Sequence, residues 1–179
     1  EVYVADAGSR IVLRFDRDGT LLGRIGETDP ERDIPGFIVP SPYFDVAFDD
    51  QESLWVANPG RHGLENYRSN GDLVTSWYKP SMQVEGFCGC CNPTHIAFRA
   101  DGSLVTCEKG LVRVKLYDVT WTFTGLVTEP GLFPDSPEEL VSCKGHTPVQ
   151  DLAVDEKNRI LVLDSHQNAV RIFDEKENA

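Results

Sequence analysis

The chain repeats itself. Four stretches, "VYVADAGSRIVLRFDRDG", "LWVANPGRHGLENYRSNG", "LVTCEKGLVRVKLYDVT" and "LVLDSHQNAVRIFDEK", superimpose so that Asp6, Asn58, Cys107 and Asp164 share one position. The aromatic residue that closes the following strand comes nine, nine, ten and nine residues later, at Phe15, Tyr67, Tyr117 and Phe173. A second element precedes three of the four. In "FDVAFDD", "THIAFRADG" and "QDLAVDEKN" the residues Ala47, Ala97 and Ala153 align, with Asp45, His95 and Asp151 two residues earlier. Copies recur at about 50 residues, a period at which one supersecondary unit cannot bury its own apolar face and must stack on its neighbours.

Within each copy the apolar runs are short and either alternating or continuous, which is the strand pattern, and no segment keeps a helical period over a full window. Asp18-Gly19, Asn70-Gly71 and Asp101-Gly102 separate the runs, and such pairs reach the positive φ values that tight hairpin turns require. The pattern predicts an all-β chain built of antiparallel four-stranded units, strands a to d, arranged around a ring as a β-propeller. A β-sandwich also consists of short strands but does not call for the shared spacing. The units fall at about residues 1–27, 43–78, 94–128 and 150–179 of a single domain, with long connectors at 28–42, 79–93 and 129–149. Strands b to d are readable in the first unit, all four in the second and third, and a to c in the fourth, fourteen strands in all. About three and a half blades leave open sheet edges at both ends, and unpaired backbone at an edge invites association. The expectation is therefore a part of a larger ring, completed by further blades, by a second copy or by another protein. The chain starts in "EVYVADAG" without an initiator Met, which reads as a processed or truncated N-terminus.

The segments "VYVADAGSRIVLRFDRDGTLLGRIG" and "DLAVDEKNRILVLDSHQNAVRIFD" resemble NHL repeats, whose unit runs apolar-Ala-apolar-Asp, a turn, apolar-Val-apolar-Asp, a polar loop and a basic-apolar strand ending in Phe-Asp. The resemblance covers most of the chain outside the three connectors. It implies an NHL-type propeller, a family whose rings usually have six blades. The third unit departs from the pattern, with Cys107 at the usual Asp and "CGCC" just before its first strand.

In an up-and-down blade the b-to-c loops and the connectors to the next blade emerge on one face, because successive strands reverse direction. That places Cys88, Cys90 and Cys91, Cys143 and the end of strand b at Cys107 on a common face, with His62, His95, His146 and His166. Long connectors on a rigid scaffold are where binding usually resides. Three readings of the cysteines stand open. Two of the clustered thiols pair with Cys107 and Cys143 as disulfides, three or four ligate zinc or an iron-sulfur cluster, or all stay reduced as packing residues. Cys-x-Cys-Cys matches no common zinc-ribbon or ferredoxin spacing, and no Cys-x-x-Cys-His haem site occurs. At the starts of the a strands, Asp45, His95 and Asp151 ring one mouth of the central channel, either as solvated or hydrogen-bonded residues or as ligands for a divalent ion such as zinc or calcium. "CEKG" reads either as a plain surface turn or as a place where Lys109 helps ionise the thiol of Cys107, whereas Arg113, Lys115 and Arg171 read as solvated strand charges and Trp55, Trp77 and Trp121 as core or rim aromatics.

Charge narrows the partners. With 17 Lys and Arg against 29 Asp and Glu the formal net charge is −12, which repels phosphate backbones and argues against nucleic acid. No apolar run is long enough to span a membrane. There is no Gly-rich phosphate loop and no nucleophile elbow. The function expected from these features is a non-catalytic propeller that binds protein or assembles a complex through its cysteine- and histidine-rich loop face, outside the cytoplasm. The alternative is a metal- or cluster-bearing propeller in electron transfer or metal-assisted lyase or hydrolase chemistry.

Overall fold

The computed structural model of the chain describes residues 1–110, 112–128, 149–165 and 167–174. Apolar strand segments alternate with turn residues as the sequence requires, and fourteen strands form among the described residues. The first sheet holds β1 (Val2–Asp6), β2 (Ile11–Phe15) and β3 (Leu21–Ile25), and the second β4 (Val46–Phe48), β5 (Leu54–Asn58), β6 (Gly63–Tyr67) and β7 (Leu73–Tyr78). The third holds β8 (His95–Phe98), β9 (Leu104–Glu108), β10 (Arg113–Tyr117) and β11 (Phe123–Thr128), and the fourth β12 (Val149–Val154), β13 (Ile160–Asp164) and β14 (Ala169–Phe173). Spatial order follows chain order in every sheet, and every pairing is antiparallel. Strand β4 packs on β8, β8 on β12 and β1 on β4, so the sheets converge at their leading strands and radiate outward. This is a partial β-propeller, two four-stranded blades flanked by two three-stranded sheets, as the repeat predicts.

Local chemistry sets the turns. Gly19, Gly71 and Gly102 take φ of 85°, 86° and 82°, a region that costs a residue with a Cβ. An aspartate opens the turn in both halves of the blade. Asp16 Oδ1 accepts from the backbone N–H of Asp18 and Thr20, and Asp118 Oδ1 from Thr120 and Thr122. Asp49 does the same for Gln51 and Ser53, and Asp155 for Lys157 and Arg159. The side chain mimics a turn of backbone, which is why Asp recurs after the strand-ending aromatic.

Three apolar layers fill the spaces between blades. Val12, Ile25, Phe37, Phe44, Leu54 and Val56 lie in one cluster, and Leu64, Phe87, Ile96, Leu104 and Tyr117 in the next. Val105, Cys107, Val114, Leu152 and Val162 join the third and fourth sheets. Against the middle cluster the three tryptophans form one aromatic group, Trp121 standing 4.5 Å from Trp55 and 4.9 Å from Trp77 between ring centroids. They are half-buried aromatics packed against that cluster, and they tie the second blade to the third.

The strand charges correct the sequence reading. Lys115 is fully buried and Arg113 nearly so, and both meet Glu108 Oε2, at 3.0 and 2.7 Å. Arg171 Nε donates to Asp164 Oδ2 at 2.7 Å. Lys115 is enclosed because the second connector folds back over it: Nζ donates to Gly86 O and lies 4.5 Å from the centre of the Phe87 ring, whereas the paired Arg171 side chain stays 27% exposed. Burial opposes both charges of the central pair, pushing Glu108 up and Lys115 down from their ordinary values.

Trp121→Ala removes the ring that joins Trp55, Trp77 and Phe98. It is expected to cost about 3 kcal/mol, the low end for such truncations since Trp121 is half-buried. Urea unfolding followed by circular dichroism measures the loss.

Candidate functional site

The leading strands bring together the three ionisable residues that the repeat aligned. Asp45 immediately precedes β4, His95 opens β8 and Asp151 lies in β12. Asp45 Oδ1 accepts from Val46 N and Oδ2 from Ile96 N, each at 2.8 Å, so one carboxylate bridges the second and third blades. Withdrawal from water raises its pKa from 3.8 to about 7, against the pull of those two backbone donors and with help from the nearby charge of Asp151. Asp151 repeats half of the arrangement: its Oδ1 accepts from Leu152 N at 2.8 Å. Its Oδ2 takes no hydrogen bond from the described residues, and the side chain is exposed.

His95 sits between them in the repeat. Thr94 Oγ1 donates its one proton to Cys107 O at 3.0 Å, so the 3.1 Å contact from His95 Nδ1 to that oxygen requires the proton on Nδ1. Burial lowers the pKa of His95, which Asp151 partly offsets, and the neutral ring then presents Nε2 as an acceptor. Tyr43 packs edge-on against it at 5.8 Å. Asp45, His95 and Asp151 are thus electrostatically coupled, but both oxygens of Asp45 are committed to backbone. Among the described residues no three His, Cys, Asp or Glu side chains converge as a ligand set.

The cysteines separate into two environments. Phe87 anchors the connector, exchanging backbone bonds with Lys79 and Ser81, while Tyr117 Oη donates to Glu85 O. Beyond it, Asn92 pins the cysteine loop to the β9–β10 turn: Nδ2 donates to Cys88 O and Lys109 O, and Oδ1 accepts from Lys109 N. His62 Nε2 meets Gly89 O. Cys90 is exposed and Cys91 buried, with their sulfurs 3.1 Å apart. Cys107 instead lies in the apolar layer between the third and fourth sheets, where burial pushes its thiol up to about 12. None of Cys88, Cys90, Cys91 and Cys107 is in a disulfide, and Cys143 lies outside the described residues, as do His146 and His166.

Lys109 acts on a different thiol from the one its sequence position suggests. Its ammonium lies 5.2 Å from the centre of the Tyr43 ring and beside Cys91, and that proximity belongs to the connector rather than to the "CEKG" turn. Ser41 at the end of the preceding connector and Tyr43 just after it, which the sequence did not single out, complete this neighbourhood. No short motif marks them, and only the closure of sheet on sheet brings them here.

No protein-family model matches the chain, and no curated protein does. Solved structures do match. A streptogramin B lyase shares 12% identity over 93% of this chain and 48% of its own, with a TM-score of 0.51. A gluconolactonase from Xanthomonas campestris shares 16% over 86% of this chain and 41% of its own, with a TM-score of 0.52. The chain spans less than half the length of each. At such identities the likeness is one of fold alone, and the fold is that of the β-propeller proteins.

The coupled pair gives a test by pH. Because the folded chain keeps a proton on Asp45 that the unfolded chain has already lost, this group's contribution to stability falls as pH rises from 3.8 to about 7 and is constant above. Asp151→Asn removes a like charge from Asp45 and an anion from His95. Both midpoints are therefore expected to move down, read by carboxyl and imidazole NMR titration; an unmoved Asp45 midpoint contradicts the coupling.

Proposed function

We propose that the chain is an NHL-type propeller segment that serves as an assembly module, without catalysis of its own. Its open blades are completed by further blade-like sheets, whether further blades of a longer chain, a second copy or another protein, and its cysteine- and histidine-bearing loop face is the surface offered to a protein partner. The observation that carries this reading is the repeated carboxylate. Asp45 joins its blade to the next through Ile96 N, and Asp151 holds the same pose with its outer oxygen unmatched among the described residues. Beside it the fourth sheet leaves Val170 54% and Ile172 49% exposed, and at the other end Val2 is 51% exposed. Apolar sheet faces of that kind are what neighbouring blades cover elsewhere in the molecule, and bare ones associate.

The loop face is stiff enough to act as a docking surface. Asn58 Oδ1 accepts from Ile38 N, Gly60 N donates to Ile38 O and Lys79 N to His62 O, so the first two connectors are each stitched to a b-to-c loop. Preorganised loops lose little conformational freedom on binding. No helix among the described residues is long and apolar enough to cross a membrane.

Sedimentation velocity across the micromolar range tests the completion of the blades. Self-association is expected, weakened about tenfold or more, some 1.4 kcal/mol, by Ile172→Asp and by Asp151→Ala. A chain that stays monomeric throughout, or variants that associate as the parent does, overturn the second-copy form of the reading. Zinc or iron bound stoichiometrically to the purified chain would favour the metal-bearing alternative instead.

A further inference from the structure

Two joints between neighbouring sheets can be laid over each other position by position. Tyr3 and Trp55 stand second in β1 and β5, and Phe48 and Phe98 close β4 and β8. Gly71 and Trp121 each follow a strand-ending tyrosine by four residues, donate their backbone N–H to Arg68 O and Asp118 O, and take φ of 86° and 65°. Where the second blade meets the third, the Trp121 indole packs on both Trp55 and Phe98, at 4.5 and 6.2 Å between centroids, and Phe98 is half-buried. Where the first sheet meets the second blade, Tyr3 meets Phe48 edge-on at 5.1 Å, but Gly71 brings no third ring. Phe48 is left 45% exposed, and a cleft of about 440 Å³ opens beside the pair. We propose that this cleft binds a small neutral molecule built on an indole-like bicyclic aromatic ring. The site lies at the strand ends opposite the cysteine loops, and the inference is independent of the assembly reading.

The walls select that chemistry. Tyr3 and Phe48 offer ring faces and edges to a planar guest, and Leu54, Tyr67 and Val74 add apolar lining. Asn66 is the buried polar group. It is 7% exposed, its Nδ2 donates to Leu54 O at 3.0 Å, and its Oδ1 takes no hydrogen bond from the described residues. An amide oxygen left open in the lining is an acceptor for a ring N–H. The charged residues of the lining, Glu52 and Arg68, are exposed and opposite in sign, and the formal charge of −12 repels anions, so a neutral guest is favoured. The volume falls within the roughly 300–1,000 Å³ that small-molecule sites occupy.

The cleft is also preformed. Arg14 Nη1 donates to Ser69 O, and Arg32 Nη2 donates to Asn70 O at 3.1 Å and to Asp72 Oδ1. The turn that carries Gly71 is thereby fastened to the first sheet and to the connector that follows it. A guest meets walls that are already ordered, which lowers the cost of binding.

Indole, titrated into the full chain by calorimetry, is the probe, and 5-fluoroindole followed by fluorine NMR gives a second readout. One saturable site per chain is expected. 1-Methylindole, which lacks the N–H, should bind about fivefold more weakly, the loss of one hydrogen bond. Phe48→Ala, at an exposed position, should weaken indole about tenfold. Asn66→Leu, which installs the residue the third blade carries there as Leu116, should erase the preference for indole over 1-methylindole. Circular dichroism checks the fold of both variants, and on the parent chain nuclear Overhauser contacts from the ligand ring to Tyr3 and Val74 locate it without any substitution. The assignment is overturned by the absence of saturable binding, by equal affinity for the two indoles, or by a preference that survives Asn66→Leu. Binding that Phe48→Ala leaves unchanged, or Overhauser contacts to Trp55 or Trp77 in place of Tyr3, overturns it equally.

Discussion

One carboxylate accepts hydrogen bonds from two blades and ties the second sheet to the third where the leading strands converge. A leading strand at the axis has an inner edge with no partner strand of its own, so its backbone donors need acceptors from elsewhere. Asp45 supplies them to Val46 and Ile96 at once. Leaving a buried N–H unmatched costs about 1–3 kcal/mol, enough to decide whether neighbouring blades register. The cost of the tie appears in the acid itself, whose pKa is raised to about 7 because the geometry that serves the backbone also removes it from water.

Much of the architecture was legible in the sequence because it is local. Asp-Gly and Asn-Gly turns, strand alternation and the aligned Asp45, His95 and Asp151 are all short-range signals, and each appears where the repeat places it. What the sequence concealed depends on the connectors. Arg113 and Lys115 look like solvent-facing charges on an alternating strand, since alternation says which residues share a face but not whether that face is covered. Phe87 and Gly86 fold back over them, and the charges are enclosed. Cys107 and the cysteines of the connector illustrate the same limit. The topology leads them toward one face, yet side-chain direction within β9 sends the Cys107 thiol into the layer between blades.

The connectors therefore do more than link sheets. Residues of the first connector, Ile34, Phe37 and Val39, join the apolar layer between the first two blades, and Phe87 of the second joins the next layer. Segments that would otherwise be free loops become part of the core at one point and project from the face at another. This is why loops of such length hold a defined shape: Asn92 and Phe87 fix the two sides of the cysteine turn, and the residues between them have little room to rearrange.

In the second and fourth sheets the b-to-c hairpin carries an internal polar pair at the same sequence offset. In the second blade it is Asn58 with Glu65, at 2.8 Å, and in the fourth Asp164 with Arg171, at 2.7 Å. The backbone frame is common to both, while the sign of the charge on the third strand is reversed. Each sector of the ring can thus acquire its own electrostatic character by exchange of two side chains, with no change of main-chain path. A duplicated unit with that freedom diversifies its recognition properties independently of its neighbours while remaining interchangeable with them as a building block.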